Sequence, residues 1–254
     1  MNLKKTMLLT ISFYATLALS QTKIIAHRGF WDTPGSAQNS ITALIKADSL
    51  ELYGSEFDVR MSKDSVLIVN HDPRIRGYTI AKTSAKVLST LQLKNRETVP
   101  TLTDYFDAAR PLSIRLILEL KKLKSPEIES YAIERILDLI KEYQYEERIE
   151  FISFSLHAVK EMIKKAPYIP TYYLEGDLSP QELQEIGCTG LDYHYKIYLK
   201  NPQWIKESHK LGLKVNAWTV NKEKKMNRLI DEGVDFITTD KPLLLRDLLE
   251  KAFE

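Results

Sequence analysis

Short runs of β-branched and aromatic residues recur along the chain and alternate with stretches whose apolar positions repeat at helical spacing. The extended runs centre on Ile24 to His27, Glu56 to Val59, Val66 to Val69, Ile114 to Leu120, Ile149 to Phe154, Thr171 to Leu174, Leu191 to Tyr193, Leu213 to Thr219 and Asp235 to Thr239. Amphipathic stretches between them include Asn39 to Leu52, Ser125 to Tyr143, Leu156 to Lys165, Asn201 to Leu211 and Lys222 to Glu232. Strands that alternate with helices predict an α/β fold around a parallel sheet. Eight such units match a single-domain (β/α)8 TIM barrel, which typically takes about 250 residues. The alternative, an open doubly wound sheet, normally carries a Gly-rich turn after its first strand. Here the first run leads into HRGFWD, and neither GxGxxG nor GxxxxGK occurs anywhere.

One stretch breaks the rhythm. Asp72 to Pro100 is polar, places Arg74, Arg76, Gly77 and Tyr78 just after His71, and predicts an excursion over the barrel mouth before a helix near Thr101. It is too short for a separate domain, so a small, open pocket is expected.

The first twenty residues change the picture of where the chain works. Lys4 and Lys5 precede an apolar run from Met7 to Leu19, with Ala18 and Ser20 before a cut at Gln21. That pattern predicts a cleaved signal peptide over 1–20, a mature domain over 21–254, and a periplasmic or secreted product. The run is shorter than the roughly 20 residues that span a bilayer, and no Cys follows it to take a lipid, so no stable membrane anchor is expected. Removal takes away two lysines and no acids, leaving the mature chain without net charge. Nothing in that balance favours a nucleic-acid partner. The single cysteine, Cys188, excludes an internal disulfide and has no neighbour that would activate a thiolate.

The candidate chemistry sits in IIAHRG (Ile24 to Gly29), SEFDVR (Ser55 to Arg60) and VLIVNHD (Val66 to Asp72). On a strand, Glu56 and Asp58 point to one face, where two carboxylates repel unless a proton or cation lies between them. On a barrel, His27, Glu56, Asp58, His71 and Glu119 all fall near the C-terminal ends of extended segments, the end where such barrels keep their active sites. Three carboxylates without a cysteine suit a hard ion, Mg2+ or Ca2+, better than Zn2+. Arg28 and Lys121 offer a planar fork and a point charge for phosphate oxygens. Two histidines supply groups able to move protons near neutrality, with the order of their roles left open.

The order HRG, helix, ExD, HD, ExK resembles the glycerophosphodiester phosphodiesterases, (β/α)8 barrels related to phosphatidylinositol-specific phospholipases C. The resemblance extends over almost the whole mature chain, because VNAWTVN (Val215 to Asn221) and GVDFITTDKP (Gly233 to Pro242) are similar to the family's last two strands. It implies that His27 and His71 form the acid/base pair and that Glu56, Asp58 and Glu119 hold one divalent cation. It also implies that Arg28 and Lys121 contact the phosphate of a small glycerophosphodiester and that Trp218 lines the pocket. One departure stands out: where the family usually reads Pro-Glu-Asn-Thr, this chain reads Ala37, Gln38, Asn39, Ser40. The polar helix start is kept, but a neutral amide replaces an acid near the metal region.

The expected reaction is metal-dependent hydrolysis to an alcohol and glycerol 3-phosphate. Three other readings use the same residues: a phospholipase-like diesterase that releases a cyclic phosphate, a non-catalytic glycerol-phosphate-binding barrel, and a glycosidase built on carboxylates alone. Asp192, His194 and Glu175 are weaker candidates for the pocket, whereas His157 and His209 fall in helical patterns as surface positions.

Overall fold

The β-branched runs pair in chain order and close on themselves. In the computed structural model, which describes residues 22–251, the strands are β1 (Lys23–Ala26), β2 (Gly54–Met61), β3 (Leu67–Val69), β4 (Arg74–Ile75), β5 (Tyr78–Thr79), β6 (Arg115–Leu120), β7 (Ile149–Ser153), β8 (Thr171–Tyr173), β9 (Gly190–His194), β10 (Lys214–Trp218) and β11 (Phe236–Thr239). Parallel pairing runs β1-β2-β6-β7-β8-β9-β10-β11 and returns to β1, which gives a closed barrel of eight parallel strands. Ile24 sits opposite Ile237 at the closure, so the first and last strands of the chain are neighbours. The signal peptide expected over 1–20 lies outside the described residues.

One extended run departs from the βα pattern. Val66 to Val69 becomes β3, antiparallel to β2, with Val59 opposite Val69 and Met61 opposite Leu67. The reason is length: a parallel partner needs a crossover of a dozen or more residues, whereas only a short turn, with Ser65 at φ 63°, separates these segments. The excursion from Asp72 to Pro100 holds the β4–β5 hairpin, a short helix at Ala85–Leu88 and its own small apolar cluster of Ile80, Leu88, Leu93 and Val99 on Ile68 and Ala37.

Strand alternation divides the apolar residues into two layers. Phe57, Val59, Leu116 and Leu118 face outward and are fully buried against the surrounding helices. Burying each such side chain contributes roughly 1.5–3 kcal/mol. Ile25, Ile117, Ile152, Tyr172 and Phe236 fill the inside of the barrel, so its interior is packed rather than hollow. Helices start where hydroxyls stop them: Ser40, Thr101, Ser125, Ser155 and Ser179 each accept a backbone N–H of the first turn. Each such cap is worth about 1 kcal/mol. Helices at Pro180–Ile186, Tyr195–Lys200 and Pro242–Lys251 complete the outer ring; the first two, of 7 and 6 residues, are too short for apolar periodicity to mark them.

Candidate active site

At the C-terminal end of β1 the chain turns sharply. Arg28 and Gly29 both take positive φ, 57° and 77°, which aims the Arg28 N–H at Glu56 Oε2, 2.8 Å away. A Cβ on Gly29 would stand 2.7 Å from the Cβ of Ala43, so only glycine lets this turn pack on the following helix. The HRG triplet is therefore a steric requirement as well as a source of chemistry.

Glu56 and Asp58 project side by side from β2, and the register places Asp58 opposite Glu119 of β6. All three are buried, and one carboxylate oxygen of each lies within 4.8 Å of the other two. Lys121 Nζ stands 2.6 Å from Glu119 Oε1 and 3.3 Å from Asp58 Oδ1, while Arg28 Nε is 3.5 Å from Asp58 Oδ2. Asn39 grips Asp58 at both ends: its Nδ2 donates to Oδ2 at 2.8 Å, and its Oδ1 accepts the Asp58 N–H at 3.0 Å. It does so from the left-handed region, φ 62°, and leaves the helix cap to Ser40.

The charges are unequal. Burial, with Asp58 and Glu119 adjacent, pushes Glu56 well above the usual carboxylate range. Burial and the Asp58 charge likewise push Glu119 up to about 7, against the pull of Lys121. Burial also works against ionised Asp58, yet the charges of Lys121, His71 and Arg28, with the Asn39 amide, hold it below the ordinary value. Glu56 Oε1 is buried without any hydrogen-bond partner. An orphaned acceptor in a crowd of oxygen donors fits a hard divalent cation, which would satisfy that oxygen and cancel the mutual repulsion. The trio is thus able to hold a metal ion.

A cavity of about 120 Å³ opens in front of Glu56 and Glu119, and both His27 and His71 line it, with Arg28 and Lys121. The residues singled out from the sequence are therefore brought together. Trp218 joins them with Phe154, Leu174 and Ile152 as an apolar wall, and its indole N–H donates to the Asp192 carbonyl at 2.8 Å. Asp192 also lines the cavity; burial raises its carboxyl to about 8, and Asn216 Nδ2 donates to it at 2.9 Å. His194 does not line the cavity: it accepts from the Lys196 N–H and packs on Trp218. Glu175 is exposed and outside the cavity lining. His157 and His209 stay in helices as expected, although each is bound, His157 to Ser130 and His209 to Asp235. Cys188 is buried, and burial pushes its thiol up to about 12.

Each imidazole leans on a carboxylate. His27 Nδ1 lies 2.8 Å from Asp240 Oδ1, and that oxygen also accepts from Trp31 Nε1 at 3.0 Å. Asn221 Nδ2 donates to Asp240 Oδ2 at 2.6 Å. Although burial works against it, the hydrogen bond and charge of His27 keep Asp240 below its ordinary value. His71 Nδ1 lies 2.7 Å from Asp72 Oδ1, and its carbonyl accepts from Arg60 Nε. Burial lowers the His71 pKa despite the nearby Asp58 and Asp72. Asp240, Asn221, Trp31 and Asn39 were not legible as site residues. Asp240 and Asn221 stand in the blocks DFITTDKP and AWTVN, where the only signal is their polarity just after a strand. Gln38 accepts from Arg28 Nη1 at 2.8 Å, so the amide that replaces an acid steadies a cation and leaves the three-carboxylate cluster complete.

Comparison with known proteins agrees with this geometry. The model of the Glycerophosphoryl diester phosphodiesterase family matches residues 27–244. A glycerophosphodiester phosphodiesterase of Caldanaerobacter subterraneus is 30% identical over 248 residues, covering 91% of this chain and 99% of the relative. The crystal structure of a glycerophosphodiester phosphodiesterase from Parabacteroides distasonis superposes with TM-score 0.91 at 45% identity, covering 92% of this chain and 99% of that one. In fold alone, an Oleispira antarctica phosphodiesterase solved with its product sn-glycerol 3-phosphate is also similar, with TM-score 0.79 at 24% identity over 91% of this chain and 97% of its own. The chain belongs to the glycerophosphoryl diester phosphodiesterase family and is a phosphoric diester hydrolase.

Proposed function

We propose that the chain cleaves glycerophosphodiesters to an alcohol and glycerol 3-phosphate in a metal-dependent reaction in which His27 and His71 move the protons. One observation carries this reading: two imidazoles line the same cavity as a buried carboxylate cluster whose oxygens converge within 4.8 Å. Glu56, Asp58 and Glu119 would hold one divalent cation, Mg2+ or Ca2+, whose chemistry is to offset negative charge developing on the phosphoryl group.

The remaining work falls to this chain's own side chains. Arg28 and Lys121 bind the free phosphoryl oxygens and orient the phosphorus between the imidazoles. One imidazole takes the proton of the attacking oxygen; the other returns a proton to the oxygen of the departing alcohol as the P–O bond breaks. Because Nδ1 of His27 is engaged by Asp240, Nε2 is the nitrogen it presents to the substrate. Burial lowers His71 below its ordinary pKa of 6.5, so it is neutral and able to accept a proton at pH 7. Trp218, Phe154 and Leu174 supply an apolar surface for the glycerol carbons while water is excluded.

The test is hydrolysis of glycerophosphocholine followed by phosphorus NMR. Turnover should vanish in a chelator and return with Mg2+ or Ca2+, and glycerol 3-phosphate should be the phosphorus product. His27→Ala or His71→Ala should remain folded and lose roughly 10²–10⁴-fold in rate. A histidine variant with near-normal turnover would overturn the mechanism. An accumulating cyclic phosphate would point to the phospholipase-like reaction, and chelator-resistant activity to the metal-free readings. The pattern of residues 1–20 supports export to the periplasm or medium; the mature protein should begin at Gln21, and an intact Met1 on the exported protein would refute this.

A further inference from the structure

A second, larger cavity of about 650 Å³ lies beside the catalytic one, under the excursion. Hydrogen bonds join their linings: Gln38 faces the larger groove while accepting from Arg28, and Asp72 faces it while holding His71. A diester seated with its phosphorus between the imidazoles would have Trp218 on one side and, beyond His71 and Asp72, this groove on the other.

The groove is unequal in free charge. Of the carboxylates facing it, Asp32 is paired with Lys241, whereas Asp72 is hydrogen-bonded to the neutral His71 ring and keeps its charge. Arg74, Arg76 and Lys94 also face it, and among the described residues none of these three has a carboxylate partner. Arg76 Nε and Nη2 donate to the carbonyls of Gln92 and Leu93 at 2.8 and 3.3 Å, and Arg74 Nη2 to the carbonyl of Gly77 at 3.3 Å. Carbonyls orient a guanidinium without neutralising it. The two guanidinium groups are thus oriented, with Lys94 beside the same groove, and an anion with several oxygens is the group that completes them.

We propose that this groove is the leaving-group subsite, and that it selects glycerophosphodiesters whose departing alcohol carries a second phosphate. The inference rests on the reaction proposed above and deepens it: Arg74, Arg76 and Lys94 bind the distal phosphate, while His27 and His71 act on the proximal one. A choline or ethanolamine leaving group brings a positive charge to a groove in which three cations outnumber the one free carboxylate, Asp72, and is the poorer fit. The bond broken is unchanged; only the alcohol's remote anion adds binding.

The experiment compares bis(glycerophospho)glycerol with glycerophosphoglycerol, which is the same diester without the second glycerophosphate arm, and with glycerophosphocholine. At low salt the doubly phosphorylated substrate should show a KM roughly tenfold lower than either, an advantage that shrinks as salt screens these exposed cations. The double variant Arg74→Ala/Lys94→Ala should raise that KM about tenfold while leaving its kcat, and both constants for the uncharged-alcohol substrate glycerophosphoglycerol, unchanged. Arg76 is left in place because its hydrogen bonds hold the loop at Gln92 and Leu93. Equal KM values for the three substrates, or a double variant that alters all of them alike, would overturn the subsite while leaving the hydrolysis intact. Failure to cleave any of the three with metal present would overturn the reaction and the subsite with it.

Discussion

Replacing Asp240 by Asn is the sharpest perturbation of the proposed proton-transfer apparatus, because it keeps the shape and removes the charge. The His27 and Asp240 side chains are 18% and 17% exposed, so their contact is sheltered and its worth is that of a hydrogen bond to a charged group rather than of a surface ion pair. That worth is roughly 1.5–3 kcal/mol. The amide has no good orientation. With its oxygen toward His27 and Trp31, its NH2 meets the NH2 of Asn221; turned over, the NH2 meets the two ring N–H groups instead. Asn221 cannot flip to help, because its Oδ1 already accepts from the Asp240 N–H and the Thr239 hydroxyl. Asp240 touches no substrate in this scheme and acts by positioning His27, so the loss should fall on kcat, by roughly 10- to 150-fold, with KM changed far less. Steady-state release of glycerol 3-phosphate measures both constants, and thermal unfolding monitors the fold. A variant within twofold of the parent kcat, or one whose whole defect lies in KM, would refute the reasoning.

Three further outcomes follow from the geometry. Asp192 is raised from 3.8 to about 8 by burial, so the folded state holds a proton that the unfolded state releases, and stability should fall by up to roughly 1.4 kcal/mol per pH unit between those values. Asp192→Asn, which can still accept from Asn216, should flatten that slope in urea titrations; an unchanged slope would show that Asp192 does not set it. Asn39→Ala removes both hydrogen bonds to buried Asp58 and should cost about 2 kcal/mol and weaken divalent-cation binding by calorimetry; undiminished affinity would sink the idea that Asn39 orients a ligand. Gly29→Ala must place a methyl 2.7 Å from Ala43 at φ 77°, and should destabilise by about 2 kcal/mol or more in chemical denaturation, with parent-like stability counting against the steric account.

The barrel was legible because its cause is local: each βα unit carries its own periodicity, and nine runs of β-branched residues mark nine strands. The direction of β3 is not local in that sense, since the run at Val66 resembles the others and only the brevity of the preceding turn forces it antiparallel. Within the site, Glu56, Asp58, Glu119 and Lys121 could be placed because i, i+2 spacing on a strand dictates a shared face. Asp240 could not. Its meaning lies in a contact with a residue 213 positions earlier, and no periodicity encodes that distance. Asn39 escaped for a different reason: beside a serine at a helix start it reads as a cap, and only its left-handed backbone turns the amide toward Asp58 instead.

The closure of β1 on β11 also sets when the protein can first act. His27 is among the earliest residues of the described chain to be synthesised, yet the carboxylate that steadies it arrives with one of the last segments. A chain still being made therefore lacks the His27–Asp240 contact however well its first half has folded. Loss of the terminal strand by proteolysis would reverse this, opening the ring at its seam and silencing the enzyme without touching Arg28 or Lys121.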